Sequence, residues 1–476
     1  MKSFLLGAAC LFSPALLGQS TPPAPDSPPV YESQSTDSQS TDSQSTVTLF
    51  PHPDSWPLYI AGQANIVFQA HPGFHSPYES TNSLLSRGEY KVSLVGTLYT
   101  GLELIRNPRW ETEFLFDLES SGGRGVSEAL GLAGFTNLDV VRNPSLGSVP
   151  YVARVQIHAT FGLTDTLVEQ TRSPFALATR VPARRFEFRF GRMSMPDLFD
   201  TNSVGTDSHL QFLNWTVDNN GAWDYAADTR GYTYASTLEF DTGDWSARYA
   251  LALMPTIANG VDLDWNIRRA RGENYEVDWN RGPAQHWFTR KKGAIRTIAF
   301  VNHANMGVYR EANRKALETG TTPDIQDHAP KTTAKYGFGL NVEQELGHGI
   351  RGYSRFGWNE GQHESFAYTE VDQTFSGGVD ISGSHWGKAN DKVGLALVSN
   401  AIKRDHQEYL ALGGKGFILG DGRLNYARED ILETYYNAHI WRGLFSAFDI
   451  QLVDHPGYNK DRGPVAMFTV RSHVDF

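Results

Sequence analysis

"AMFTVRSHVDF", residues 466–476, closes the chain with regular alternation of apolar and polar side chains. Successive side chains of a β-strand point to opposite faces, so a period of two predicts a strand. One face is apolar or small and the other polar: Ala466, Phe468, Val470, Ser472, Val474 and Phe476 against Thr469, Arg471, His473 and Asp475. Because chain ends are commonly poorly ordered unless tied down, a strand that reaches the last residue needs a pairing partner.

The same alternation recurs from about Trp56 onward. It is clearest in four stretches: RRFEFRFGR (184–192), ETEFLFDLE (111–119), GFGLNVEQEL (337–346) and AFDIQLVD (447–454). Two architectures produce this pattern. A soluble β-sandwich turns the apolar face inward, whereas a membrane β-barrel turns it toward lipid and keeps the polar face in the lumen.

Composition and an N-terminal leader favour the barrel. Aromatic residues make up 12% of the chain, which also contains 45 glycines, as is typical of β-rich proteins. Residues 1–19 have a basic start at Lys2 and an apolar stretch to Leu17, which predicts a secretory signal peptide. Residues 20–50 are rich in Pro, Ser, Thr and Gln, with an SQSTD repeat from Ser33, and predict a disordered linker.

Residues 51–476 are therefore predicted to form one all-β domain, a transmembrane antiparallel β-barrel of the outer membrane. At roughly ten residues per tilted strand plus connections, this length fits about 16 strands around a water-filled lumen. The last strand must pair with the first to remove both sheet edges. Phe476, on the lipid side, also resembles the signal by which the bacterial barrel-assembly machinery recognises such proteins.

Other classes of function lack support in the sequence. The net charge of −11 and the absence of a Lys/Arg-dense segment argue against a nucleic-acid partner. Cys10 is the only cysteine, and the 15 histidines show no tight ligand spacing, so we expect neither a disulfide framework nor a metal site. No cofactor is expected.

Several stretches resemble the carbohydrate-selective porins of the OprB type. They run in order along the chain: LYIAGQANIVFQ (58–69), GLAGFTNLDVVRNP (131–144), FGRMSMPDLFDTN (190–202), HLQFLNW (209–215), GDGRLNYAREDILETYYNAHI (420–440) and DIQLVDHPGYNKDRGPVAMFTVRSHVDF (449–476). His455 departs from the family, which usually has Asn there. The resemblance implies a 16-stranded channel for passive diffusion of mono- and oligosaccharides and other small hydrophilic solutes. It is compatible with a monomer or a homotrimer, surrounded by outer-membrane lipid and lipopolysaccharide.

Such a pore needs a constriction and lumen side chains that sugars can contact. Polar-face residues are the candidates, because sugar hydroxyls pair with Arg and carboxylate groups: Arg185, Glu187, Arg189, Arg351, Tyr353, Arg355, Arg471, His473 and Glu113. Facing arginines would repel one another unless carboxylates such as Glu113 or Glu187 lie opposite. The alternative is that each is one of many hydrated lumen residues. If the arginines formed the narrowest ring, they would weakly favour anions.

Two connecting segments are candidates for a constriction loop. Phe199 and Trp215 lie near the DLFDTN block and are candidates for a loop folded into the pore. Residues 131–144 lack alternation and could form a short helix folded inward or across a barrel mouth, or an ordinary surface loop.

Two other classes of function stay open. A barrel enzyme of lipase or protease type would need Ser, His and carboxylate residues near the rim. The chain contains many of these residues but no G-x-S-x-G turn, and we assign no catalytic residue. An adhesin-like barrel would use long connections such as residues 257–293.

Overall fold

The computed structural model describes residues 47–143, 146–280 and 292–476. The predicted signal peptide and residues 20–46 of the predicted linker lie outside the described residues. Sixteen antiparallel strands close into a barrel, and two short strands form a separate two-stranded sheet. The strands are β1 (Leu58–His71), β2 (Glu89–Asn107), β3 (Trp110–Gly123), β4 (Tyr151–Gly162), β5 (Leu167–Glu169), β6 (Arg180–Pro182), β7 (Arg185–Met193), β8 (Thr233–Asp241), β9 (Trp245–Ala252), β10 (Arg271–Trp279), β11 (Gly293–Ala304), β12 (Thr333–Gly347), β13 (Ile350–Asn359), β14 (Gln373–Ser382), β15 (Lys392–Ala401), β16 (Glu429–Trp441), β17 (Leu444–Asp454) and β18 (Val465–Asp475). The prediction of an all-β barrel of about 16 strands is confirmed.

Helical structure is limited. Among the described residues the α-helices are α1 (Trp215–Asp218), α2 (Tyr309–Thr319) and α3 (Arg404–Ala411). None of these helices has the length and apolar character needed to cross a membrane.

The first and last strands close the barrel. β18 pairs with β1 in a register that runs from Gln63 opposite Asp475 to Ala70 opposite Phe468. Beyond the strand itself, Gly62 and Phe476 exchange two backbone hydrogen bonds of 2.6 and 2.8 Å. The end of the chain is therefore held in the sheet, as the alternation at residues 466–476 predicts.

The two faces of the strands are inverted relative to a soluble protein. On β18, Phe468 and Val470 are 41% and 46% exposed on the outside, whereas Thr469 and Arg471 are buried inside. Exposed tryptophans also lie at the ends of strands: Trp110, Trp245, Trp279 and Trp441. An outward apolar band with aromatic residues near the interface is the pattern of an outer-membrane barrel.

The two ends of the barrel differ in the length of their connections. One end carries short turns, such as residues 242–244 and 442–443, together with the 163–184 connection, which contains β5 and β6. The other end carries long loops, such as residues 124–150 and 194–232. In outer-membrane barrels short turns face the periplasm and long loops face outward, and the two ends are named accordingly below.

The lumen contains folded polypeptide. The largest cluster of buried apolar side chains is built around Phe199, Trp215 and Trp223 of the 194–232 loop, together with Phe135 of the 124–150 loop. A barrel of this size would otherwise enclose a wide aqueous channel. The prediction that Phe199 and Trp215 belong to a loop folded into the lumen is confirmed.

The inverted faces make a direct prediction about stability in lipid. Phe188 lies near the middle of β7 and faces outward. We expect Phe188→Arg to lower the free energy of unfolding by about 2–4 kcal/mol, because a cation on the lipid face is costly at the bilayer midplane. Denaturant unfolding of the refolded protein in lipid vesicles measures this, with Phe188→Leu as the control. An arginine variant as stable as the leucine variant would contradict the assigned orientation.

Candidate functional site

Arg355 holds the 194–232 loop against the lumen wall. Its guanidinium donates to the backbone carbonyls of Val217 at 2.7 Å, Asp218 at 3.2 Å and Asp200 at 2.9 Å. Its Nε also lies 2.7 Å from the Asp200 carboxylate. Arg355 is 0% exposed, so one side chain joins both halves of the loop to β13.

Wall carboxyl groups satisfy backbone amides of the same loop. Glu343 on β12 accepts a hydrogen bond of 2.6 Å from the backbone N–H of Ser203. Glu433 on β16 accepts one of 2.6 Å from that of Leu213. Buried irregular backbone requires such partners, since an unpaired buried N–H is costly. The inward polar face of the strands therefore provides hydrogen-bond acceptors for the backbone N–H groups of the loop.

The 131–143 segment is also folded inward and packs on the 194–232 loop. Glu429 of β16 accepts hydrogen bonds from the backbone N–H groups of Ala133 and Gly134 at 3.1 and 2.7 Å. The indole N–H of Trp215 donates to the carbonyl of Asn137 at 2.9 Å. The segment is folded inward, but residues 131–143 contain no helix, so the predicted short helix is wrong.

Arg471 and His473 of β18 contact the 194–232 loop where it meets the 124–150 loop. Arg471 donates to the carbonyl of Ser208 at 2.5 Å, and the His473 ring stacks on His209 with centroids 5.3 Å apart. The His209 ring nitrogen lies 3.3 Å from a carboxylate oxygen of Asp139. Burial alone would lower the pKa of His209, but Asp139 raises it to about 9. The loops are thus joined by an ion pair at neutral pH.

A second group of candidates surrounds His158 on β4, near the periplasmic end. The two ring nitrogens of His158 each lie 3.0 Å from a carboxylate, one from Glu113 and one from Glu187. Glu187 also pairs with Arg185 at 2.6 Å and lies 3.9 Å from Arg189. The carboxylates therefore lie between the cations, an arrangement that offsets the repulsion expected between facing arginines.

This group holds the 163–184 connection inside the lumen. Glu113 accepts hydrogen bonds from the backbone N–H groups of Leu177 and Ala178 at 2.9 and 2.8 Å. Arg189 donates to the carbonyl of Phe175 at 2.8 Å. A connection at the periplasmic end thus enters the barrel, which the sequence analysis did not predict.

The remaining two candidates belong to the barrel wall. Arg351 pairs with Asp380 on the neighbouring strand β14 at 3.1 and 2.5 Å. Tyr353 faces the lumen, with its ring 5.8 Å from the Arg355 guanidinium. All nine candidates therefore face inward, but they form separate groups.

The space left between the loops and the wall is a cavity of about 590 Å³. Thr48 and His52 border it toward the periplasmic end, and Arg230 and Asn259 border it toward the extracellular end. Its aromatic lining comprises Tyr59, Tyr99, Tyr151, Phe175, Trp215, Tyr225, Tyr232 and Tyr368. Among the described residues, His473 is the one member of the nine candidates that borders this cavity.

One part of the lining combines stacked rings with unpaired polar atoms. Trp215 and Tyr368 are nearly parallel with centroids 5.6 Å apart, and Tyr225 lies 4.6 Å from Tyr368. Asp218 Oδ1 and Asn219 Oδ1 are buried and have no hydrogen-bond partner within the described part of the chain. Burial raises the pKa of Asp218 well above its usual range. A protonated carboxyl both donates and accepts hydrogen bonds.

Two charged groups elsewhere along the cavity, Arg154 and Glu119, have side-chain partners. Arg154 makes a bidentate pair with Asp197 at 2.7 and 2.8 Å. Glu119 accepts hydrogen bonds from the hydroxyl of Tyr232, at 3.0 Å to each oxygen. Paired charges and hydroxyl donors suit uncharged polar solutes.

Comparisons with known proteins agree with this architecture. The family model described as "Carbohydrate-selective porin, OprB family" matches residues 102–476. The structure of Pseudomonas putida OprB is 13% identical, covers 88% of this chain and 94% of that chain, and aligns with a TM-score of 0.63. An anion-selective porin from Comamonas acidovorans is 10% identical, covers 88% and 99% of the two chains, and has a TM-score of 0.45. A search of curated proteins gave no match.

The family match spans most of the chain, and the likeness to the Pseudomonas putida structure supports the fold. The chain belongs to the OprB family of carbohydrate-selective porins and is an outer-membrane β-barrel through which carbohydrates and other small hydrophilic solutes pass.

Proposed function

We propose that sugars cross the barrel through the 590 Å³ cavity and contact the stacked rings of Trp215 and Tyr368. The observation that carries this proposal is that these stacked rings line the same cavity as the side chains of Asp218 and Asn219. A sugar offers both matching features, since its C–H face packs on aromatic rings and its hydroxyls donate and accept hydrogen bonds. Passage is passive and needs no cofactor.

The candidate arginines divide into two roles in this proposal. Arg355, Arg471 and Arg189 donate to loop carbonyls, so they position the segments that narrow the pore. Arg185 and Arg351 stabilise the wall through pairs with Asp241 and Asp380. His473 and the aromatic and amide groups of the loops contact the permeating sugar directly.

The chain acts as a channel without catalytic chemistry in this proposal. A barrel lipase or protease would hydrolyse ester or peptide substrates in detergent, and an adhesin would support attachment without altering sugar uptake. Neither alternative accounts for polar groups and rings that line an internal cavity.

Processing and partners follow from the domain organisation. Residues 1–19 direct export and are removed, residues 20–50 form a linker, and residues 51–476 form the barrel. Phe476 is 37% exposed on the outer surface, where the barrel-assembly machinery can contact it. The apolar band contacts lipid and the extracellular rim contacts lipopolysaccharide, in a monomer or in a homotrimer.

Sugar block of single channels tests the proposed pathway. In planar bilayers, glucose and maltooligosaccharides should block the conductance saturably, and a polyol of equal size should not. Conductance without differential block would contradict sugar contact in the cavity.

A ring substitution tests the proposed contact surface. Trp215→Leu keeps apolar packing against Phe135 but removes the ring that faces Tyr368. We expect sugar affinity to fall about twofold to tenfold, because an aromatic contact is worth about 0.5–1.5 kcal/mol. Trp110→Leu on the outer surface is the matched control and should leave block unchanged. Equal block in both variants would remove Trp215 from the contact surface.

Two arginines on one strand separate loop positioning from wall stability. Arg355→Met removes the donor to three loop carbonyls, whereas Arg351→Met removes a pair within the wall. We expect Arg355→Met to raise the single-channel conductance and weaken sugar block, since the freed loop no longer narrows the lumen. Arg351→Met carries the same change of charge and should conduct like the parent protein. Equal conductance in the two variants would contradict the positioning role of Arg355.

A further inference from the structure

Residues 47–57 lie across the periplasmic mouth before the first strand begins. The backbone N–H of Leu49 donates to the carbonyl of Asp475 at 2.9 Å, and that of Glu103 donates to the carbonyl of Pro57 at 2.9 Å. Thr48 and His52 border the cavity. This segment therefore forms part of the lining at the exit.

Arg172 joins this segment to the 163–184 connection. Its guanidinium donates to the carbonyls of Pro53 at 2.7 Å and Trp56 at 2.8 Å. The same group lies 3.7 Å from the Glu103 carboxylate of β2 and 5.5 Å from the centre of the Tyr59 ring of β1. The Arg172 side chain is 4% exposed, although it lies at the end of the barrel that opens to solvent.

The geometry suits arginine specifically. A guanidinium presents several N–H donors in one planar fork and stacks on aromatic faces. Here the fork reaches two carbonyls of the N-terminal segment and approaches one carboxylate while its plane lies near Tyr59. The contacts come from residues 47–57, β1 and β2, so Arg172 joins the 163–184 connection to all three.

The 163–184 connection borders the same end of the cavity. Pro174 and Phe175 at its tip line the cavity, and Arg189 and Glu113 hold the tip from the wall. The exit is thus bounded by this tip on one side and by residues 47–57 on the other. Neither element is part of the extracellular loops that narrow the lumen from the opposite end.

We propose that Arg172 is a positioning residue for the periplasmic exit: it holds residues 47–57 against the 163–184 connection, and the two together form a second narrow point that limits the size of solutes leaving the lumen. This inference goes beyond the proposed sugar contacts. It assigns a transport role to a segment that precedes the barrel strands.

Polymer exclusion measured separately from each side of the membrane tests the proposal. In planar bilayers, polyethylene glycols small enough to enter a channel mouth lower its conductance, and larger ones do not. Lys388→Cys, in the periplasmic turn between β14 and β15, carries a biotin, and added streptavidin identifies the periplasmic side. All variants are compared in this background.

Arg172→Ala should shift the polymer cut-off toward larger polymers on the periplasmic side, with no shift on the extracellular side. Arg180→Ala is the matched control, because Arg180 lies in the same connection, is exposed, and its side chain makes no hydrogen bond or ion pair with another described residue. A merely structural role for Arg172 would alter barrel stability without a one-sided shift. Equal periplasmic cut-offs in the two variants would overturn the proposal.

A shortened chain tests the segment itself. A mature protein that begins at Trp56 keeps Arg172 but lacks most of the segment that it holds. We expect the same one-sided shift as in Arg172→Ala. A shortened channel with the parent cut-off would overturn the role assigned to residues 47–57. If sugars did not block the parent channel but Arg172→Ala still shifted the periplasmic polymer cut-off, only the proposed sugar contacts would be contradicted.

Discussion

The structure depends on the need to satisfy the backbone polar groups of loops that fold into the barrel. Arg355 is the clearest example, because its buried guanidinium contacts three loop carbonyls and one carboxylate. An irregular segment inside a protein is stable only if its N–H and C=O groups find partners. The polar faces of the strands provide them, through arginines for carbonyls and carboxyl groups for amides. The conducting space is what remains after these contacts form.

This arrangement separates two kinds of inward-facing residue that look alike in the sequence. Arg189 and Arg471 resemble pore-lining groups, but each donates one hydrogen bond to a loop carbonyl. The Nε and Nη2 atoms of Arg471 have no hydrogen-bond partner among the described residues. The groups that border the cavity with unpaired atoms come mainly from the loops, among them Asp218 and Asn219. Removing a wall arginine is therefore expected to act on the pore through the loop that it holds. Such a change also leaves buried partners uncompensated, which is costly.

Sequence patterns predict the barrel well because its strands obey a simple period. Alternation at residues 184–192 and 466–476 places Arg185 and Arg471 inside, as observed. The cavity lining is harder to predict from the sequence, because contacts between loops follow no sequence periodicity. Trp215 and Tyr368 lie far apart in sequence and stack only when two loops fold together. Trp215 was indicated by its neighbourhood in a family-like block, whereas nothing in the local sequence marks Tyr368.

We propose that the 194–232 loop, held by Arg355, defines the conducting space. The most direct test of this claim is the single-channel conductance of a variant in which residues 196–230 are replaced by a short Gly-Ser connection. β7 and β8 are neighbours in the barrel, so a short connection can join them. The account predicts a folded barrel with several-fold higher conductance and no saturable sugar block. A folded variant with the conductance and sugar block of the parent protein would contradict it.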